Sequence, residues 1–136
     1  MVEHVEVGGM GAHADCPGMN AQSFSMALRS TSVEITESAA DVVIKKRKLR
    51  QGSGGQGVQC GGDGVLLELQ PRDGFELQLM PGMVQAMHWQ HSARGRSGGG
   101  AGGLATIAIS SSRGVQDLSP DFVRTSLHAA QMIRVP

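Results

Sequence analysis

GVLLELQPRDGFELQLM, residues 64–80, carries the pattern on which the fold class turns. Two apolar alternations, 64–70 and 75–80, bracket Pro71-Arg72-Asp73-Gly74. Alternation at period two is the signature of a strand with one covered face. Proline presets the backbone for a turn, and Asp-Gly tolerates the conformations that finish it. The stretch predicts a β-hairpin with a four-residue turn.

Upstream, Val42–Leu49 begins with β-branched residues and ends in Lys45-Lys46-Arg47-Lys48, which predicts a strand leaving the core. Before it, Thr31-Ser32-Val33-Glu34 has the capping-box pattern: a hydroxyl accepts from a backbone N–H while the glutamate reaches back. A short helix over 33–40 follows. Residues 2–7 and 21–28 read as further short strands. Downstream, 83–90, 104–110, 122–127 and 131–135 read the same way, with the low-complexity ARGRSGGGAGG (93–103) between two of them. The fold class is mainly β (α+β): a small Gly-rich, multi-stranded β domain with one short helix near 33–40.

Composition limits what this domain can be. The 136 residues suit one domain, and twelve Lys plus Arg balance twelve Asp plus Glu. No net charge draws it to nucleic acid or to a membrane surface. Only four aromatics are present, Phe24, Phe75, Trp89 and Phe122, so the core rests on Val, Leu, Ile, Met and Ala. Twenty glycines add backbone entropy to the cost of folding. A small domain of this make-up is marginal alone, so 1–136 reads as a single partial domain of something larger. Cys16 and Cys60 form no CxxC pair, no apolar run approaches the ~20 residues of a membrane span, and the start lacks a secretory pattern. A reduced, cytoplasmic location is the expectation.

The segment from Leu49 to Gly57, LRQGSGGQG, followed by Gly61-Gly62-Asp63-Gly64-Val65, resembles the LRxGSGGxG…GGDGV signature of the hydantoinase B/5-oxoprolinase family. Gly8-Gly9-Met10-Gly11-Ala12 is similar to that family's GGMGA turn, and Gly18 falls near its following Asp-Gly. Ser30 to Glu34 resembles an Asn-Thr-Pro-Val-Glu element that starts a short helix. Gly98 to Leu104 sits where the family carries a second glycine loop, and Met132 to Pro136 resembles the strand leading into a terminal Gly-rich motif. The resemblance covers nearly the whole chain and matches a carboxy-terminal part of a B-type protein.

The resemblance implies ATP-dependent opening of cyclic amides such as hydantoins and 5-oxoproline by a parent protein; other members serve in ATP-dependent carboxylases of ketones. It implies ATP with Mg²⁺, and a further metal, on parts outside this fragment, which itself would bind no cofactor. The implied partners are the rest of the B-type chain and an A-type ATP-binding subunit or domain. It assigns Gly9, Gly11, Gly52, Gly54, Gly55, Gly57, Gly61, Gly62, Asp63 and Gly64 to structural turns of the signature. Two regions depart from the family. Ser25 to Arg29 replaces a polar His-Met-Thr-Asn-Thr stretch, and 80–103 agrees only through glycines. The fragment alone is therefore expected to be inactive. The alternative is a diverged, non-catalytic β module acting in assembly.

Other motifs yield to plainer readings. Gly52 to Gly57 matches GxGxxG, but VQCGGDG follows, which cannot open the helix a dinucleotide needs. His13 and Cys16 are spaced as two zinc ligands of the four required, while His4, His88, His91 and His128 are scattered. No metal site is assigned. The run Lys45 to Lys48 lacks an aromatic for base stacking and reads as a solvated strand edge. Ser53 lies outside a GxSxG pattern, and no His/Asp order supports it, so no catalytic residue is assigned.

Overall fold

The strand expected over Val42–Leu49 forms with those limits and lies at one end of the five-stranded sheet. The structure, a computed structural model, describes residues 8–22, 31–79, 92–104, 106–117, 125–127 and 132–135. Helix α1 (Val33–Ala39) is followed by β1 (Val42–Leu49) and β2 (Val65–Pro71), then β3 (Leu77–Leu79). Strands β4 (Ala108–Ser111), β5 (Gly114–Asp117), β6 (Thr125–Leu127) and β7 (Met132–Val135) follow. The architecture is mainly β with one short helix. Five strands form an antiparallel sheet in the order β1-β2-β7-β4-β5, and β3 pairs with β6 apart from it.

The expected hairpin of 64–80 does not form as a pair. The turn is present: Phe75 N–H donates to the Arg72 carbonyl at 3.0 Å, and Gly74 takes φ +83. Yet β2 pairs with β1 and β7, while β3 pairs with β6. Alternation specifies a strand and its buried face, not its neighbour. The two sides of β2 are occupied by the preceding strand β1 and by the distant β7, so the turn hands the chain to another sheet.

Burial along β2 does not alternate, since the neighbours Leu67 and Glu68 are both buried. Leu67 is 2% exposed, and Val42, Ile107, Ala108 and Ile109 complete the buried apolar set among the described residues, with Pro71 fully enclosed at the strand end. Register aligns Ile44, Leu69, Ile133 and Ile109 in one row across four strands. The adjacent row of register partners is Lys46, Glu68, Arg134, Ala108 and Asp117.

Lys45 is an extra residue in β1, where the register jumps between Ile44 and Lys46. This bulge reverses the phase of the strand and leaves Lys45 and Lys46 both exposed. The Glu37 carboxylate of α1 accepts from the Ile44 N–H beside it at 2.7 Å. Arg47 donates to the Thr31 carbonyl at 2.8 Å, and Arg72 donates to the Glu37 carbonyl at 2.8 Å, so the helix is tied to β1 before its start and to the residue after β2 near its end. The run Lys45 to Lys48 does lie on an outer strand, as its composition implies.

Helix α1 starts at Val33 as expected, but its cap lies one residue past the first hydroxyl of the capping-box pattern, so Glu34 is two residues and not three beyond the N-cap. Ser32 is the N-cap, its hydroxyl accepting from Ile35 N–H at 3.3 Å. Hydrogen bonds from the Glu34 backbone N–H and from Ser32 hold the Glu34 carboxyl below its ordinary pKa. Of the other expected strands, 104–110 contracts to β4, 122–127 to β6 and 131–135 to β7 within the described residues. The reading of 21–28 as a strand fails at its start: Ala21 takes φ +48 and donates to the Asp63 carbonyl, and 23–28 lie outside the described residues. Residues 2–7 and 83–90 also lie outside them.

Candidate functional site

Three glycine-bearing loops, 8–22, 50–64 and 92–104, meet beside the open ends of β1 and β2. Regular strands cannot form there, because so few side chains remain to cover a pleated surface. Instead the backbones bond to one another. Met10 N–H donates to the Met19 carbonyl at 2.9 Å, and Gly62 N–H donates to the Met10 carbonyl at 2.8 Å. Gly18 N–H reaches the Cys60 carbonyl at 2.9 Å. The third loop joins through Gly100 N–H to the Gln56 carbonyl at 2.6 Å and Gly103 N–H to the Ser53 carbonyl at 2.7 Å.

The spacing between these chains explains the glycines. A Cβ on Gly9 would fall on the Gly62 carbonyl, and one on Gly62 would fall on the Met19 carbonyl. Gly18 faces the Met10 carbonyl in the same way, Gly54 the Gly61 carbonyl and Gly55 the Gly100 carbonyl. At Gly61 a Cβ would lie 3.1 Å from Gly55 N, and at Gly57 it would lie 3.2 Å from the Gln59 carbonyl. Gly52 has open space and is required by its φ of +76. Gly11 has open space, and Gly64 would meet nothing nearer than 3.6 Å. The ten signature positions therefore do different work: most permit chain contact, Gly52 turns the chain, and Gly11 and Gly64 have room for a methyl group.

Four polar side chains lock the layer. The Asp63 carboxylate accepts from Gly54 N–H at 3.0 Å, joining the two halves of the signature. Asp63 N–H donates to the Asn20 side chain at 2.7 Å, and Gly64 N–H donates to the Ser53 hydroxyl at 2.9 Å. Arg50 reaches across to the Leu104 carbonyl at 2.7 Å. Sequence reasoning assigned Asp63 to its own turn; the structure gives it a neighbour nine residues away. Asn20, Arg50 and Gly95 were not singled out, and a Cβ on Gly95 would fall on the Gly99 carbonyl. Arg50 had a signal in its place within LRQGSGGQG, whereas Asn20 and Gly95 had none in the residues around them.

This geometry leaves little for a phosphate. The amides of Gly54, Gly61 and Gly62 are already donated within the layer, and bends follow Gly57 where a dinucleotide site needs a helix. Among the described residues no three His, Cys, Asp or Glu gather to hold a metal ion. His13 and Cys16 meet through the backbone, His13 N–H to the Cys16 carbonyl at 2.9 Å, and both Cys16 and Cys60 are exposed free thiols. His4, His88, His91 and His128 lie outside the described residues. Beside the layer, the charged face of the sheet forms an open groove of about 430 Å³ lined by Lys46, Arg50, Glu68 and Asp117 among others. Lys46 and Glu68 approach to 4.0 Å across the strands. Among the described residues no helix is long and apolar enough to cross a membrane.

The family model described as Hydantoinase B/oxoprolinase matches residues 1–135. A 5-oxoprolinase of Dictyostelium discoideum is 40% identical over 74 residues, covering 54% of this chain and 6% of that protein. The 5-oxoprolinase PfmaA of Pestalotiopsis fici is 41% identical over 77 residues, with the same coverage of 54% and 6%. The chain thus spans a small fraction of the length of these relatives. No solved structure matches it. With a glycine-loop layer built from the signature and a family match over almost its full length, the chain belongs to the hydantoinase B/oxoprolinase family.

Proposed function

We propose that this chain is a structural portion of an ATP-dependent cyclic-amide hydrolase, acting through a parent assembly on hydantoin-like or 5-oxoproline substrates and inactive by itself. The observation that carries the reading is coverage: the family match takes in 1–135, yet the relatives named 5-oxoprolinase are covered over only 6% of their length.

In this reading the glycine layer is a rigid spacer. Its amides bond to one another, and its role is to hold chain at fixed spacing where the rest of a B-type chain and an A-type ATP-binding partner assemble. ATP with Mg²⁺ belongs to those other parts. A cytoplasmic site of action follows from an ATP-consuming parent.

Two experiments test the proposal. The isolated chain is expected to turn over neither 5-oxoproline nor hydantoin, with or without ATP and Mg²⁺; catalysis that survives chelation and rigorous purification overturns it. An antibody against the 72–75 turn should detect a native polypeptide many times heavier than 14.2 kDa. A band at 14.2 kDa would instead establish a free module.

A further inference from the structure

The two edges of the five-stranded sheet are built differently. Strand β1 is guarded: a bulge at Lys45 breaks its ladder, and Lys45, Lys46 and Lys48 are exposed along it. Both devices discourage another strand from pairing there. Strand β5 has neither. All four residues of Gly114–Asp117 are exposed, β5 carries no Lys or Pro, and its register with β4 is regular. Among the described residues, β4 is its one strand partner.

Register determines which groups face the open side. Ser111 pairs with Gly114 across the two-residue loop Ser112-Arg113, so these two exchange ladder hydrogen bonds, as do Ile109 and Gln116 two steps on. Val115 and Asp117 alternate with them, and their N–H and C=O groups point outward. Val115 also exposes 66% of its surface. On this edge an apolar side chain coincides with backbone groups that have no strand partner among the described residues.

We infer that β5 is a strand-addition edge whose occupant is β5 of a second copy, paired antiparallel about a two-fold axis through Val115. Charge complementarity selects the partner and the register. An antiparallel pair centred on Val115 places Val115 against Val115 of the second copy. The same register sets Arg113, exposed in the turn, opposite Asp117 of the second copy, and the symmetry makes that pair twice. A slip of one residue in β5 flips the side chains to the wrong face and brings no opposite charges together. Cross-strand apolar and opposite-charge pairs are the units that stabilise an added strand. The contact is small beside the ~1,200 Å² of a stable interface, so association is weak unless other parts of an assembly add to it.

The test is site-directed cross-linking of the 136-residue chain, with Cys16→Ser and Cys60→Ser removing the native thiols. Oxidised glutathione joins two introduced thiols through a mixed disulfide, two reduced glutathiones leaving as the inter-chain S–S bond forms. Val115→Cys should give covalent dimer at least five-fold faster than Gln116→Cys, whose side chain lies on the other face. Arg113→Asp should slow the Val115→Cys reaction several-fold, and adding Asp117→Arg should restore it. Equal rates at 115 and 116, the outcome for an unfolded chain or random collision, overturn the proposal. So does a charge swap that restores nothing. Amide protection at Val115 that is independent of protein concentration would assign the edge to another strand of the same chain and overturn it equally.

Discussion

At the residue scale, the glycine signature separates into positions that hold chains together and positions that have room. Gly62 is buried, and its missing Cβ is what lets the Met19 carbonyl approach. Gly62→Ala should destabilise the fold by about 1–3 kcal/mol, the usual penalty for overpacking, whereas Gly11→Ala should change stability by under about 0.5 kcal/mol, as a surface substitution. Urea unfolding of both variants checks this, and equal effects would show that the layer does not depend on close contact. Asp63→Asn keeps an acceptor for Gly54 N–H and should cost less than Asp63→Ala in the same assay. At the helix start, Ser32→Ala removes the cap and should cost about 1 kcal/mol. Hydrogen bonds to its ionised form lower the Glu34 pKa, so its support of the fold is complete above the ordinary glutamate range and is lost as pH falls through the lowered value. Carboxyl NMR should show the Glu34 pKa rising towards its ordinary value in Ser32→Ala; no change would remove Ser32 from its environment.

At the element scale, β1 shows why composition revealed a strand but not its geometry. The apolar start Val42-Val43-Ile44 and the basic finish were legible, and the strand has the expected limits. The bulge was not, because Lys45 and Lys46 look alike in sequence and only pairing with Leu69 and Glu68 reveals which is extra. Deleting Lys45 leaves every observed pair in place and makes the ladder continuous. The variant should therefore retain the strand spectrum while self-associating more readily by light scattering. Lys46→Glu sets like charges opposite each other, 10% exposure at Glu68 limiting how far solvent screens them. It should destabilise by about 1 kcal/mol, while Lys46→Ala costs about half that or less.

At the scale of the whole molecule, Leu67 is buried on the strand with partners on both sides. Leu67→Ala should cost about 2–5 kcal/mol, a large part of the 5–15 kcal/mol that holds a domain of ordinary stability. The isolated chain is expected to melt broadly, since among the described residues five apolar side chains beside Pro71 make up the buried set. A sharp calorimetric transition with dispersed amide resonances would show that the chain is a complete domain.

Local chemistry in the sequence was enough for the mainly β class, for β1, for α1, for a turn after β2 that was placed at 71–74 and closes at 72–75, and for the family signature. Each depends on residues adjacent in the chain: period-two alternation, a hydroxyl before a glutamate, Asp-Gly in a turn. The partner of β2, the bulge at Lys45, the Asn20 and Arg50 locks and the division among the signature glycines were decided by the tertiary structure. Each depends on which distant backbone lies alongside. Alternation carries no information about that neighbour, and a glycine at a crowded contact reads the same as one in open space.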